Sequence, residues 1–375
     1  MFIPPHCPNP ECSLYHHEPE GPWYRKISPY ETKTFGSVPR FVCSSCHKTF
    51  STQTFSIDYF AKRQLSYQSI HNQINSGSGL RNIARNLKVS PRTIRNRINR
   101  LARNAIIIHE SHLHQLPYLE DFVADGFESF CVSQYFPDNT NILVGKDSQF
   151  VYRWNYVTLR RKGRMRDEQK KRRMILENRY RADPRGIESS FGDLMAFLDR
   201  RTQSRSTPLI LYTDEKKEYQ RALWNRGDLR ERLFCGSWRH HTINSREVRN
   251  TQNPLFSVNY IDREFRKDMA SHARESVQFS RNVTEAMMRM SLYLFDHNYL
   301  KPYRVADREK KLYRHAQVAG LDRKILDDSV SGFFTKRSFW RMADPFDGPG
   351  KRTLERGWVT PLRDGVETRI NHLAA

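Results

Sequence analysis

Pro208-Leu209-Ile210-Leu211-Tyr212-Thr213-Asp214 is an unbroken apolar run that closes on an acid. A run of this kind reads as a buried central strand covered on both faces, with its carboxylate presented at the carboxyl-terminal tip. Downstream, Glu215 to Asn225 reads as a helix, Trp238 to Ile243 as another strand, and Asn259 to Arg266 as the start of a long helix. Upstream, Asp121 to Phe127 reads as a short strand, followed by β-like runs at Phe130 to Phe136, Asn141 to Val144 and Phe150 to Leu159, then a basic helical stretch from Arg166 to Tyr180. Strands first, then helix and strand in alternation, is an α/β three-layer order.

Two acids join Asp214 in this frame, Asp125 near the tip of the first strand and Asp262 in the long helix. Enzymes that cut or join phosphodiesters hold two Mg²⁺ ions roughly 4 Å apart, one activating the attacking oxygen and one stabilising the leaving oxygen. Mg²⁺ takes oxygen ligands and keeps several waters, so a few carboxylates from strand ends and a neighbouring helix suffice. The chain holds 41 Asp plus Glu, so strand-end placement is what selects Asp125 and Asp214. For the third acid spacing leaves Glu264 as an alternative to Asp262. Asp262 and Arg266 also stand at i and i+4, the spacing of an ordinary intrahelical ion pair.

Four of the six cysteines fall in the first 46 residues, as Cys7-Pro-Asn-Pro-Glu-Cys12 and Cys43-Ser-Ser-Cys46. Each pair can deliver two thiolates to one tetrahedral ion, with Trp23-Tyr24 and Arg40-Phe41-Val42 as strands of a small ribbon. Four soft thiolates suit Zn²⁺ and fill a closed, structural site. The bland alternative is four small buried hydrophobes.

Between Leu80 and Arg103 the apolar residues Leu80, Ile83, Ala84 and Leu87 mark one short helix, and Ser90-Pro91 starts a second that turns Ile94, Ile98 and Leu101 inward. Arg81, Arg85, Lys88, Arg92, Arg95, Arg97, Arg100 and Arg103 supply eight positive charges with no acid among them, and the last five are expected to point outward. Two helices joined by a tight turn, the second basic on its free face, form the helix-turn-helix pattern, and one-sided charge favours phosphate and major-groove contact over a merely solvated face. A second basic stretch, Arg153 to Arg181, holds twelve Lys or Arg against three acids. Together the two stretches carry 17 of the formal +22 charges of this 375-residue chain. Such a surplus points to nucleic acid, and binding should weaken steeply with salt. No apolar run is long enough to span a membrane and the opening residues lack the pattern of a signal peptide, so a soluble, cytoplasmic protein is expected.

The order of these parts resembles that of bacterial insertion-sequence transposases of the DDE type. The likeness is nearest to the IS-one kind, through Ala124-Asp125-Gly126-Phe127-Glu128-Ser129-Phe130, Tyr212-Thr213-Asp214, and Ile261-Asp262-Arg263 with Phe265-Arg266, Ala273-Arg274-Glu275-Ser276 and Phe279-Ser280-Arg281. The resemblance implies a multidomain chain: a zinc ribbon over 1–56, a helix-turn-helix DNA-binding domain over 57–110 and an α/β ribonuclease H-like catalytic core over 111–300. A basic and aromatic extension, 301–375, reads either as a small appendage packed on the core or as a surface that binds nucleic acid by stacking and charge. It further implies catalysis by Asp125, Asp214 and Asp262, the last standing where the family usually has Glu, with Mg²⁺ as cofactor beside the structural Zn²⁺. The partners implied are double-stranded DNA, as element ends and target, and further copies of the chain in a homodimer or higher oligomer on DNA, in a bacterial nucleoid. His272, Arg274 and Arg281 are candidate phosphate contacts, while His240-His241 reads as a structural pair. Two other functions fit the same sequence: a non-catalytic DNA-binding regulator descended from a transposase, and a metal-dependent nuclease without strand transfer.

Overall fold

The computed structural model describes residues 2–19, 21–244, 246–273, 276–304 and 313–363. The amino-terminal piece contains a one-turn helix, α1 (Ser13–His16), and a three-stranded antiparallel sheet, β1 (Tyr24–Thr32), β2 (Gly36–Cys43) and β3 (Thr49–Ser51), in that order. Gly36, at φ +62°, supplies the left-handed residue of the β1–β2 reversal. The core here is small. Phe50 stacks between Trp23 and Phe41, with ring centroids 5.7 and 5.5 Å away, and the four cysteines complete the cluster.

Three helices follow, α2 (Tyr67–Ile74), α3 (Leu80–Asn86) and α4 (Pro91–Leu113). Ser90 caps α4 by accepting the Thr93 N–H, and Pro91 fills the first turn, where its missing N–H costs nothing. The tight turn between α3 and α4 passes through Lys88 at φ +51°. At 23 residues, α4 is roughly 35 Å long, and its second half runs beside the central sheet. The boundary expected at residue 110 therefore falls inside a helix. One hydrophobic cluster continues from Ile57 and Ile70 through Ile106 to Phe122, Leu292 and Leu354, so the amino-terminal helices and the sheet share a core.

The central sheet has five strands: β4 (Phe122–Phe130), β5 (Pro137–Gly145), β6 (Val151–Thr158), β7 (Leu209–Asp214) and β8 (Trp238–Ile243). Their order is β6-β5-β4-β7-β8. The first three pair antiparallel, while β4–β7 and β7–β8 are parallel. The run expected as a strand at Phe130 to Phe136 is instead a reversal between β4 and β5, passing through Val132 at φ +69°. Phe130 ends β4 opposite Pro137 and packs against Phe279, while Phe136, outside the ladder, packs against Tyr180.

Helices α5 (Asp167–Glu177) and α6 (Gly186–Thr202) connect β6 to β7; α7 (Lys217–Trp224) and α8 (Gly227–Phe234) connect β7 to β8. Next come α9 (Phe256–Asp268) and α10 (Val283–Phe295), the latter prolonged by one wide turn, Asp296–Leu300. Side chains alternate across the sheet. Phe122, Ala124, Leu143 and Leu211 belong to the cluster that contains α4, α6 and α7, whereas Val123, Phe127, Ile142 and Val144 belong to the cluster that contains α9 and part of α10. Phe127 meets Phe265 of α9 edge to face at 5.1 Å. The result is a mixed α/β protein with the sheet between two helical layers.

Three short helices, α11 (His315–Val318), α12 (Arg323–Ser331) and α13 (Gly348–Leu354), lie in the carboxyl-terminal part. The segment between α12 and α13 returns to the amino-terminal ribbon. Ile57 N–H donates to Thr335 O at 3.0 Å, Arg337 N–H to Phe55 O at 2.8 Å, and the Tyr15 hydroxyl to Trp340 O at 2.6 Å. This part is thus a strap joining ribbon, helices and core. Among the described residues no helix is long and apolar enough to cross a membrane.

Candidate metal centre and active site

Cys7 and Cys12 flank the turn before α1, and Cys43 and Cys46 flank the turn between β2 and β3. Each turn presents two thiols to the same point. Cys7 Sγ lies 3.6 Å from Cys46 Sγ, and Cys12 Sγ lies 3.9 Å from Cys43 Sγ. Four sulfurs at about 2.3 Å from a tetrahedral ion would stand about 3.8 Å apart, so the spacing already fits a metal such as zinc. Burial pushes the Cys7 thiol up, a penalty that a bound cation would reverse. Among the described residues, these four form the one group of three or more His, Cys, Asp or Glu whose ligand atoms all lie within 4.8 Å of one another. The cluster is compatible with a zinc ribbon.

Asp125 and Asp214 come together by register. Parallel pairing matches Phe122 with Leu211 and Val123 with Tyr212; two residues further along each strand, Asp125 stands level with Asp214. Both share the sheet face of Val123 and Tyr212, the face on which α9 packs. One oxygen of each is tied to the backbone. Asp125 Oδ1 accepts the Gly126 N–H at 2.7 Å and Asp214 Oδ1 accepts the Lys216 N–H at 3.0 Å. Burial, followed by the nearby Asp214 carboxylate, pushes the Asp125 carboxyl up to about 6.

Asp262 approaches from α9. Burial and then the charge of Asp125 raise its carboxyl well above the usual range, and its Oδ1 is buried without a hydrogen-bond partner. The intrahelical ion pair with Arg266 is not formed. That guanidinium lies over the Phe127 ring, 4.8 Å from its centroid, and donates to Glu128 O at 3.4 Å. Glu264 points elsewhere: Lys267 Nζ binds both its oxygens at 2.8 and 2.9 Å, and Lys301 stands 3.9 Å away. The structure therefore brings Asp262, and not Glu264, into the field of Asp125.

Sequence reasoning missed Tyr219. Its fully buried ring stacks on Phe191 at 4.2 Å, and its hydroxyl lies 3.4 Å from Asp125 Oδ1 and 3.3 Å from Asn141 Oδ1. Its one sequence signal is helical periodicity, which marks it only as core. Below Asp125, Asn141 donates to Ser190 Oγ at 2.6 Å, giving the sheet a buried polar strip.

The basic residues divide in two. Arg81, Arg85, Lys88, Arg92 and Arg95 are exposed. Arg97, Arg100 and Arg103, expected to face solvent, are 4%, 6% and 3% exposed. They donate to the carbonyls of Arg63 at 2.8 Å, Ile57 at 2.7 Å and Ser338 at 2.6 Å. The physical reason is that two segments cover that face of α4, residues 57–63 ahead of α2 over Arg97 and Arg100 and the strap over Arg103, and both leave backbone carbonyls in need of donors. In the second basic stretch Arg153 is likewise buried, between Glu110 and Asp347, while Lys170, Lys171 and Arg172 are exposed on α5.

His240 Nε2 lies 2.8 Å from Thr213 Oγ1, and the exposed His241 stacks on Tyr212. His272 Nδ1 lies 3.1 Å from Ser129 Oγ, Arg281 is exposed, and Arg274 lies outside the described residues. No protein-family model matches the chain, and none of the curated proteins matches it in sequence.

Proposed function

We propose that the chain is a metal-dependent DNA transposase, in which the cysteine ribbon and the α2–α4 helices read element ends and the sheet with α9 cuts and joins DNA. The observation that carries this reading is the approach of Asp214, at the end of β7, and Asp262, from α9, to Asp125 inside the parallel-paired β4. Bringing like charges together is costly unless a cation neutralises them. A sheet of three antiparallel strands extended by two parallel ones is also compatible with a ribonuclease H-like core. The exposed arginines on α3 and α4 fit a phosphate-rich partner.

Asp125, Asp214 and Asp262 would hold Mg²⁺, and the unpartnered Asp262 Oδ1 together with an all-oxygen donor set suits such a hard ion. When bound, Mg²⁺ supplies an activated oxygen nucleophile and charge stabilisation for in-line phosphoryl transfer. The Gly126 and Lys216 amides fix one oxygen of each strand aspartate, so the other is presented in a set direction. Tyr219 holds Asp125 from below and excludes water from the sheet side.

The test is incubation of the purified protein with Mg²⁺ and DNA carrying the terminal inverted repeats of its own element, comparing wild type with Asp214→Asn. Cleavage and strand transfer by wild type, reduced about 10²-fold or more in the variant, is expected. Equal cleavage by both proteins removes Asp214 from the mechanism. One observation favours a second reading, a DNA-binding regulator without catalysis: the aspartate oxygens do not all lie within 4.8 Å of one another, as the cysteine sulfurs do. DNA binding without cleavage would select it.

A further inference from the structure

A cleft of about 890 Å³ separates the amino-terminal helices from the segment that follows α9. One wall is the α2–α3 turn together with Arg81 of α3 and Arg92 and Arg95 of α4; the other is residues 269–271 and 277–282, with Gln278 and Arg281, backed by Arg289 of α10. Among its described lining residues are seven arginines and one acid, Glu285. That acid is already engaged, with Arg356 at 3.0 Å and Asn99 at 3.2 Å. Small-molecule pockets of this size are mostly apolar, and this one is not.

The cleft does not stand alone. A second concavity, lined by Arg63, Arg85 and Lys88, adjoins it and shares Arg81 and Asn82. The two form a continuous basic track running from the α3–α4 turn to the segment leaving α9, the helix that carries Asp262. Asn99, which also lines the cleft, has its Oδ1 buried without a hydrogen-bond partner.

We infer that this cleft takes the sugar-phosphate backbone of a DNA strand, gripped by arginines from both walls. The inference rests on the reading of the chain as a DNA-processing protein and adds where the strand lies. An extended row of guanidinium groups matches a polyanion with repeating phosphates, because each one can bind a phosphate bidentately. Contacts to phosphate are independent of sequence. DNA held here would be bound by the helices and by the catalytic layer at once, so its position would be fixed relative to Asp262.

The test uses full-length protein in EDTA with a fluorescently labelled duplex of arbitrary sequence, read by anisotropy over a salt series. Arg95→Gln and Arg281→Gln each remove one exposed guanidinium, one from each wall. Each should weaken binding several-fold and lower the slope of log K against log salt by about 1. Arg323→Gln, an exposed change on α12 outside the cleft, should leave both unchanged. Wild-type affinity and slope in both cleft variants, or loss at one wall alone, overturns the two-walled grip while leaving DNA processing intact. Binding of inorganic phosphate at constant ionic strength, abolished by the variants with no change in DNA affinity, overturns it in favour of a small-anion site. Failure of the wild type to bind any duplex removes this inference and the proposed function together.

Discussion

The four cysteines and the three aspartates are both groups of like side chains, yet opposite forces act within them. Thiols are neutral when protonated, so the sulfurs of Cys7, Cys12, Cys43 and Cys46 all pack within 4.8 Å of one another beside a small aromatic core. Carboxylates repel, and Asp125 and Asp262 are each pushed toward the protonated form by burial and by a neighbouring charge. The first cluster is held by two local turns and contributes to the ribbon's own fold. The second is imposed by a sheet and helix whose stability comes from elsewhere, in contacts such as Phe127 against Phe265. One cluster supports its domain; the other is strain that its domain tolerates.

The largest effect that could break this contrast lies at the cysteines. Cys43→Ser, or treatment with a strong chelator, should release one equivalent of zinc and open the ribbon to protease, since structural sites bind with about 10 to 16 kcal/mol of apparent free energy. A variant that keeps its zinc and resists protease as the wild type does would remove the metal from this site.

Acid should act next, through buried histidines that belong to neither cluster. Burial holds His109 down to about 3, and His112 and His315 down to about 4. Their folded values lie below the unfolded value of about 6.5, so the stability they contribute is complete above pH 6.5 and is lost as the pH falls toward 4. Three such protons give a slope approaching about 4 kcal/mol per pH unit. The buried Asp138 carboxyl, which burial pushes up to about 7, works in the opposite sense: its contribution is complete below the unfolded value and lost as the pH rises through 7. Urea midpoints measured from pH 7 to 4 should fall continuously; a flat profile would contradict the neutral burial of the three imidazoles.

The smallest effect sharpens the contrast by its sign. Asp262→Asn removes a repelling charge and should raise the melting temperature in EDTA by roughly 2 °C, while Cys43→Ser lowers it. A lower melting temperature for Asp262→Asn would mean that the carboxylate is a structural partner and not a source of strain.

Much of this was legible along the chain. The cysteine pairs announce themselves because each pair lies within one turn. Leu209 to Asp214 forms the strand its apolar run implies, with strands on both sides. Hydrophobicity misled at Phe130 to Phe136, where only Phe130 belongs to a strand and Phe136 is buried by packing without joining the ladder. The choice between Asp262 and Glu264 could not be made from spacing, because two residues on a helix are about 200° apart and only the sheet says which side faces Asp125. Tyr219 carried no signal beyond its place on a buried helical stripe.

The sequence by itself determined the charge, the helix caps, the metal-ready cysteine pairs and the strand that ends in Asp214, because each depends on residues near one another in the chain. Tertiary structure alone decided which charges are surface. Arg97, Arg100 and Arg103 follow the same helical pattern as Arg92 and Arg95, and no local rule separates them. What separates them lies outside the helix: residues 57–63, upstream, take Arg97 and Arg100, and a strap more than 200 residues downstream takes Arg103, which turns three expected DNA contacts into donors for backbone carbonyls. Periodicity specifies which residues share a helix face; only the rest of the chain specifies what that face meets.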